Sequence, residues 1–248
     1  MSQWAYLSSV DKCYERYKAK TARKLPGTVV DADYFDFFCF HSPYNKLVQK
    51  GFGRVMATDF YDAPSKAEFT TPEAEELQKF AQTPKESTYE SRDFDVALRA
   101  VAGARFKAKV LPACTVNQNI GNCYTGSVFS CLVALVCGQT SSLEGKRIFM
   151  FSYGSGSAAS IYSFVARIPS DATRPTLEKI ASTVDIQTRL AARTKASIDD
   201  FNAALDLRAA KYGAAPMNPD GSMDDILPGT YYLTGINDKH HRSYARKE

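Results

Sequence analysis

The chain has 248 residues, of which 44% are apolar and 23% charged, and it carries a formal net charge of +4. These proportions suit a globular chain with a sizeable core and exclude a disordered or fibrous one. So mild a positive charge does not argue for nucleic acid, although converging cations would suit an anionic small molecule. The longest apolar run, Val128 to Val136 interrupted by Ser130, is too short to span a bilayer, so no membrane partner is expected. The residues from Met1 to Leu7 lack the basic-then-apolar pattern of a secretory signal. The cysteines at 13, 39, 114, 123, 131 and 137 form no CxxC pair, and four of them lie in apolar surroundings. Free core thiols in a reducing, cytoplasmic compartment are the expectation. No grouping of histidine, cysteine and acid of the kind zinc requires is visible, and no metal is expected.

Leu7 to about Lys20 reads as an amphipathic helix ending in a basic stretch, with Pro26 and Gly27 as a stop. Tyr34 to Phe40 is an aromatic run with strand propensity. After Pro43 the period becomes helical, with Leu47, Val48, Gly51, Phe52, Val55 and Met56 on one side and Lys46, Lys50 and Arg54 as a stripe on the other. Thr71-Pro72-Glu73 starts a helix that stops before Pro84. Asp95 to Phe106 predicts a helix and Lys109 to Cys114 a strand. Tyr124 to Cys137 is apolar on almost every side, as in a helix packed inside a layered fold. Arg147 to Phe151 and Ala158 to Val165 read as strands across a Gly/Ser turn. Helices follow at Thr176 to Ala192, broken near Thr183, and at Ser197 to Tyr212, where Ser197 and Asp200 are spaced as a capping box. Pro216 to Asp225 reads as a loop, and Thr230 to Ile236 as a last strand before a basic tail. Strands alternating with covering helices predict an α/β layered domain.

Three segments carry chemical potential. His41 follows a strand-like run, whereas His240 and His241 sit in the charged tail. Pro43 biases Ser42 toward extended geometry, which leaves His41 where strand turns into helix. A neutral imidazole there can exchange a proton or hold a carbonyl oxygen; a structural histidine bonded to backbone is the alternative. Lys46 and Lys50 are either a solvated helix face or a phosphate contact. In the second segment, Asn119 to Thr125, Asn122 is either a helix cap or an amide donor to a developing oxyanion. Cys123 has no sequence neighbour that would activate it as a nucleophile. In the third, Gly154-Ser155-Gly156 is either a tight turn or a place of close backbone approach to a ligand; it matches neither the P-loop nor the Gly-x-Ser-x-Gly elbow.

Taken in order, these segments resemble hydroxymethylglutaryl-CoA synthase of the eukaryotic type. The resemblance rests on Phe40-His-Ser-Pro-Tyr-Asn-Lys-Leu-Val-Gln-Lys50, Asn119-Ile-Gly-Asn-Cys-Tyr-Thr125, Gly145-Lys-Arg-Ile-Phe-Met-Phe-Ser-Tyr-Gly-Ser-Gly156, Gly229-Thr-Tyr-Tyr-Leu233 and Asp238 through Arg246, with Tyr6 to Tyr14 upstream. It covers nearly the whole chain. It implies a thiolase-like layered α/β fold, with residues 1–248 as the C-terminal half plus additional helices. The N-terminal half, with the family's cysteine nucleophile and glutamate base, would lie outside them.

The implied activity is condensation of acetyl-CoA with acetoacetyl-CoA in the mevalonate pathway, followed by hydrolysis of the enzyme-bound thioester, with these CoA thioesters as substrates and no further cofactor. By resemblance His41 orients the acetoacetyl thioester, Asn122 lies near the acyl carbonyl, Ser155 belongs to the neighbouring Gly-rich loop, and Lys46 and Lys50 lie near the CoA phosphates. Cys123 stands where many relatives have methionine or leucine, so it is not expected to be the nucleophile. A homodimer or association with an N-terminal half is implied, and the chain alone is expected to be incomplete. A catalytically inactive CoA-binding or assembly module is the competing expectation.

Overall fold

Residues 2–171, 173–224 and 226–248 are described by a computed structural model with two units, Met1–Ala192 and Arg193–Glu248, each carrying its own sheet. In the first unit, β1 (Phe37–Phe40) pairs parallel with β2 (Arg147–Gly154), and β2 pairs antiparallel with β3 (Ala158–Val165). Period-two alternation sorts the apolar side chains of β1 and β2 onto two covered faces, so both strands read as continuous apolar runs. Phe38, Phe40, Phe149 and Phe151 enter one cluster with Tyr6, Tyr14 and Phe52. Cys39, Ile148 and Met150 enter the other with Val128, Cys131 and Leu135. Helices α1 (Ser2–Lys24), α2 (Asn45–Asp62) and α4 (Arg92–Lys109) supply the first face, with the short α3 (Glu75–Gln78) against α4. Helix α6 (Ser127–Gln139), preceded by α5 (Thr115–Ile120), covers the second.

Helix α2 departs from the expected one-sided pattern. It is buried from Leu47 to Phe60 except at Gln49 and Lys50, because α1 and α4 both pack on it. Two glycines make that approach possible. A Cβ on Gly51 would stand 3.1 Å from the Tyr6 ring, and one on Gly53 3.2 Å from Leu98 Cδ2. The expected basic stripe is broken at Arg54. Its guanidinium is buried and donates from Nε to Asp11 Oδ1 at 3.0 Å and from Nη1 to Thr88 Oγ1 at 2.8 Å.

Three other expectations are corrected. Lys109 to Cys114 is not a strand: α4 runs to Lys109, and Leu111–Ala113 form a 3-10 turn. The reason is tertiary. The Lys109 ammonium donates to the Ala32 and Phe35 carbonyls at 3.0 and 2.9 Å, anchoring the helix end over the entry to β1. Thr71 precedes only a 3-10 turn, Pro72–Ala74, and the four-residue α3, with no side-chain cap from Thr71. The Tyr124 to Cys137 segment is buried on one face only; Tyr124 and Phe129 are 82% and 56% exposed.

The break expected near Thr183 falls at Asp185, which is left-handed (φ 44°) between α7 (Leu177–Val184) and α8 (Ile186–Ala191). In the second unit α9 (Ile198–Lys211) begins with the predicted capping box, Asp200 N donating to Ser197 Oγ at 3.0 Å and Ser197 N to Asp200 Oδ2 at 3.2 Å. The expected loop from Pro216 includes a bridge between Met217 and Ile236, and its last residue, Asp225, lies outside the described residues. The basic tail is not free chain. Arg242–Arg246 form β5, antiparallel to β4 (Tyr231–Ile236), with the charged side chains turned outward on a sheet edge.

Candidate active site

His41 is the first residue beyond β1. Its backbone N–H donates to the Phe151 carbonyl at 2.7 Å, which extends the β1–β2 ladder by one bond. Its backbone carbonyl accepts from Tyr6 Oη at 2.8 Å. The main chain of His41 is therefore clamped between the sheet and α1. Its imidazole is otherwise placed: the residue is only 7% exposed, neither ring nitrogen has a hydrogen-bond partner among the described residues, and both nitrogens keep some access to solvent. The ring lies 6.3 Å from that of Tyr153. Burial holds the imidazole below its ordinary 6.5, so the neutral form, with one donor and one acceptor nitrogen, prevails at neutral pH.

Asn122 lies between α5 and α6. Its Oδ1 accepts from Tyr124 N at 2.9 Å and from Ser127 Oγ at 2.8 Å, while Ser127 Oγ accepts from Cys123 N at 2.8 Å. Because a backbone N–H can only donate, the contact with Tyr124 fixes which end of the amide is oxygen. The capping role weighed for Asn122 is thus carried by Oδ1. Its Nδ2 has no partner among the described residues and remains a donor. Cys123 is exposed, with its sulfur 3.8 Å from the Gly121 carbonyl and no base bonded to it among the described residues.

Ser155 lies in the exposed turn joining β2 to β3. Since β1 and β2 run parallel with Phe40 opposite Phe151, His41 and Ser155 leave the sheet at the same end. The Asn122 segment approaches that end too: the Tyr124–Gly126 turn touches β2, and Cys131, one turn into α6, donates from its thiol to the Phe40 carbonyl at 3.3 Å. Three of the predicted site residues are thus gathered at the C-terminal ends of β1 and β2.

Lys46 and Lys50 sit on the first two turns of α2, which starts four residues after His41. They line a cleft of roughly 460 Å³ together with the N-terminal turns of α4. Tyr6, Arg92, Asp95 and Arg99 were not singled out from the sequence. The i, i+4, i+8 apolar spacing of Tyr6, Val10 and Tyr14 along one helix face was the available signal for the first. For the others only the approach of α4 to α2 reveals the shared cleft.

A mixed sheet whose β1 and β2 are covered on both faces, with the polar segments gathered at one end, is a thiolase-like α/β fold with extra helices. The solved structure of MvaS in complex with 3-hydroxy-3-methylglutaryl coenzyme A superposes with a TM-score of 0.71 at 25% identity, over all of this chain and 50% of that one. PksG, an HMG-CoA synthase from Bacillus subtilis, superposes with a TM-score of 0.63 at 19% identity, over 98% of this chain and 50% of that one, and shares the fold.

The family model described as hydroxymethylglutaryl-coenzyme A synthase C terminal matches residues 1–247, and the chain belongs to that family. It is 35% identical over 241 residues to hydroxymethylglutaryl-CoA synthase A of Dictyostelium discoideum, covering 97% of this chain and 47% of that protein. The cytoplasmic and mitochondrial synthases of Homo sapiens are 35% and 34% identical over 254 residues, covering all of this chain and 48% and 49% of theirs. The chain spans about half the length of the curated relatives it matches.

Proposed function

We propose that residues 1–248 form the C-terminal half of a hydroxymethylglutaryl-CoA synthase site that condenses acetyl-CoA with acetoacetyl-CoA. The family's cysteine nucleophile and glutamate base would come from an N-terminal half. The observation that carries this reading is the neutral imidazole of His41, largely covered but with ring nitrogens open to solvent and unpartnered within the chain, at the strand ends where Asn122 and Ser155 also emerge. The alternative, a structural histidine bonded to backbone, would have a ring nitrogen paired within the chain.

In this reading the acetyl group is carried as a thioester on the cysteine, and a carboxylate removes a proton from its methyl group. The carbanion attacks the ketone carbonyl of acetoacetyl-CoA, whose oxygen gains negative charge as the new C–C bond forms. The N–H of His41 and the Nδ2 donor of Asn122 hold the acetoacetyl group and offset that charge. Ser155, on an open turn, admits the acyl chain beside the sheet, and Lys46 and Lys50 meet the CoA phosphates. Water then hydrolyses the thioester to the cysteine. A cytoplasmic setting and a place in the mevalonate pathway belong to the same reading.

The second face of the sheet supports association with another half. Tyr162 and Phe164 of β3 lie opposite Met150 and Ile148, on the side covered by α6, yet each is 37% exposed. They leave an aromatic surface that an N-terminal half, or a second copy in a homodimer, would cover.

The test is an assay of the purified chain with both thioesters, alone and mixed with the N-terminal half of the Dictyostelium discoideum relative. Turnover is expected only in the mixture. Sustained condensation by the chain alone would overturn the division of labour, and silence in a mixture that demonstrably associates would favour an inactive CoA-binding module. In the mixture, Asn122→Asp keeps the oxygen that caps Tyr124 and Ser127 but removes the amide donor. It is expected to lower the condensation rate by about 10²-fold or more with an unchanged melting temperature. An unchanged rate would leave Asn122 as a cap alone.

A further inference from the structure

The cleft between α2 and α4 holds more charge than Lys46 and Lys50. Arg92 and Arg99 also line it, against the carboxylates of Glu90 and Asp95, leaving an excess of two positive charges. Lys50 Nζ and Arg99 Nη2 each stand 3.6 Å from one and the same atom, Asp95 Oδ2. That distance exceeds a hydrogen bond, so the carboxylate sits between two cations without closing on either. One of the two cations is fixed from the same helix: Arg99 Nε donates to the Asp95 backbone carbonyl at 3.1 Å. The three side chains are 21 to 38% exposed, so ligand and ions can reach them.

We propose that Asp95 is a built-in competitor for phosphate, its Oδ2 standing in the cleft where a phosphate oxygen of a CoA thioester sits when one is bound. Lys46 and Arg92 complete the cradle. This rests on the reading above that the CoA phosphates meet Lys46 and Lys50, and it adds Arg92 and Arg99 to the binding set. A phosphate brings more charge and several acceptor oxygens that can approach both cations to full hydrogen-bonding distance, which a carboxylate fixed on the first turn of α4 does not. The ligand therefore displaces Asp95 from Lys50 and Arg99. The carboxylate in turn weakens every phosphate-bearing ligand by a common factor while leaving the pantetheine arm untouched, which favours release of free CoA.

The experiment is calorimetric titration of the full chain at low ionic strength with coenzyme A, inorganic pyrophosphate and pantetheine. Asp95→Asn is expected to tighten coenzyme A and pyrophosphate by about threefold or more and to leave pantetheine unchanged. Arg92→Gln and Arg99→Gln are expected to weaken the two phosphate ligands by a similar factor. Were Asp95 only a link between α2 and α4, Asp95→Asn would lower the melting temperature without tightening pyrophosphate, and the proposal would fall. Pyrophosphate that binds and tightens in Asp95→Asn while coenzyme A does not bind would keep the cradle and remove the CoA reading. Coenzyme A binding that ignores all three substitutions would keep the CoA reading and remove the cradle. Failure of both phosphate ligands to bind the native chain would overturn both.

Discussion

His41→Ala, in the chain supplied with an N-terminal half, is expected to slow condensation by about 10²- to 10⁴-fold while leaving formation of the acetyl-cysteine nearly unchanged. The asymmetry follows from placement. The backbone of His41 is bonded to Phe151 and Tyr6 through its N–H and carbonyl, and alanine keeps both bonds. What alanine removes is an imidazole with no internal partner, so a large fall in the second half-reaction reports chemistry and not folding.

A glutamine at the same position, which supplies a donor but cannot exchange a proton near neutrality, separates holding the carbonyl from proton transfer. The pH behaviour supplies a second readout. Burial lowers the native value of His41 below 6.5, so as pH falls through about 6.5 the unfolded chain takes up a proton before the folded chain does. This group therefore withdraws stability as pH falls below that point and costs nothing above it. Glutamine should flatten that acid limb of the stability curve. Equal loss in both half-reactions, or an acid limb identical in wild type and variant, would make His41 a structural residue.

Legibility in the sequence followed the range of the interactions. Ser197 with Asp200, the apolar runs of β1 and β2, and the break before α8 are set by neighbours within a few positions, and all were readable. The polar segments around His41, Asn122 and Ser155 were readable as well, because each interrupts a periodic pattern with groups that need partners. What escaped depends on distant chain. Arg54 looked solvent-facing on a helical wheel, since nothing local shows that Asp11 comes from α1 to meet it. Val110 and its neighbours carry strand propensity, but Lys109 finds carbonyls more than seventy positions upstream and the helix continues to meet them. The Arg242–Arg246 segment reads as a charged tail until β4 offers it an edge. At the site, Tyr6 and Asp95 were invisible for the same reason: each acts on a residue that only the packing of α1 or α4 against α2 and the sheet brings near.

Asp11→Ala is expected to destabilise the first unit by about 3–5 kcal/mol, the cost of leaving a buried guanidinium without its counter-ion. Arg54 and Asp11 are 3% and 1% exposed, and Arg54 meets both carboxylate oxygens through Nε and Nη2. Tyr89 Oη donates to Asp11 Oδ2 at 2.9 Å, and the guanidinium carbon lies 4.5 Å from the Tyr89 ring centre and 5.8 Å from that of Phe94. The pair thus joins α1, α2 and the chain leading into α4 through buried ions, with Tyr89 half-buried at its edge.

Removing both charges should be far milder. Asp11→Leu combined with Arg54→Met replaces the pair with apolar volume and is expected to recover most of the loss, because desolvation of the two ions no longer opposes folding. Urea unfolding of the single and double variants decides the matter: a single variant that loses less than about 1 kcal/mol would mean that water enters and solvates Arg54. The consequence reaches the site. Asp11 lies on the helix whose Tyr6 clamps the His41 carbonyl, and Arg54 on the helix that carries Lys46 and Lys50. A loosened pair lets these two helices shift against each other. Asp11→Ala should therefore weaken coenzyme A binding at temperatures where the chain is still folded, and the double variant should restore it.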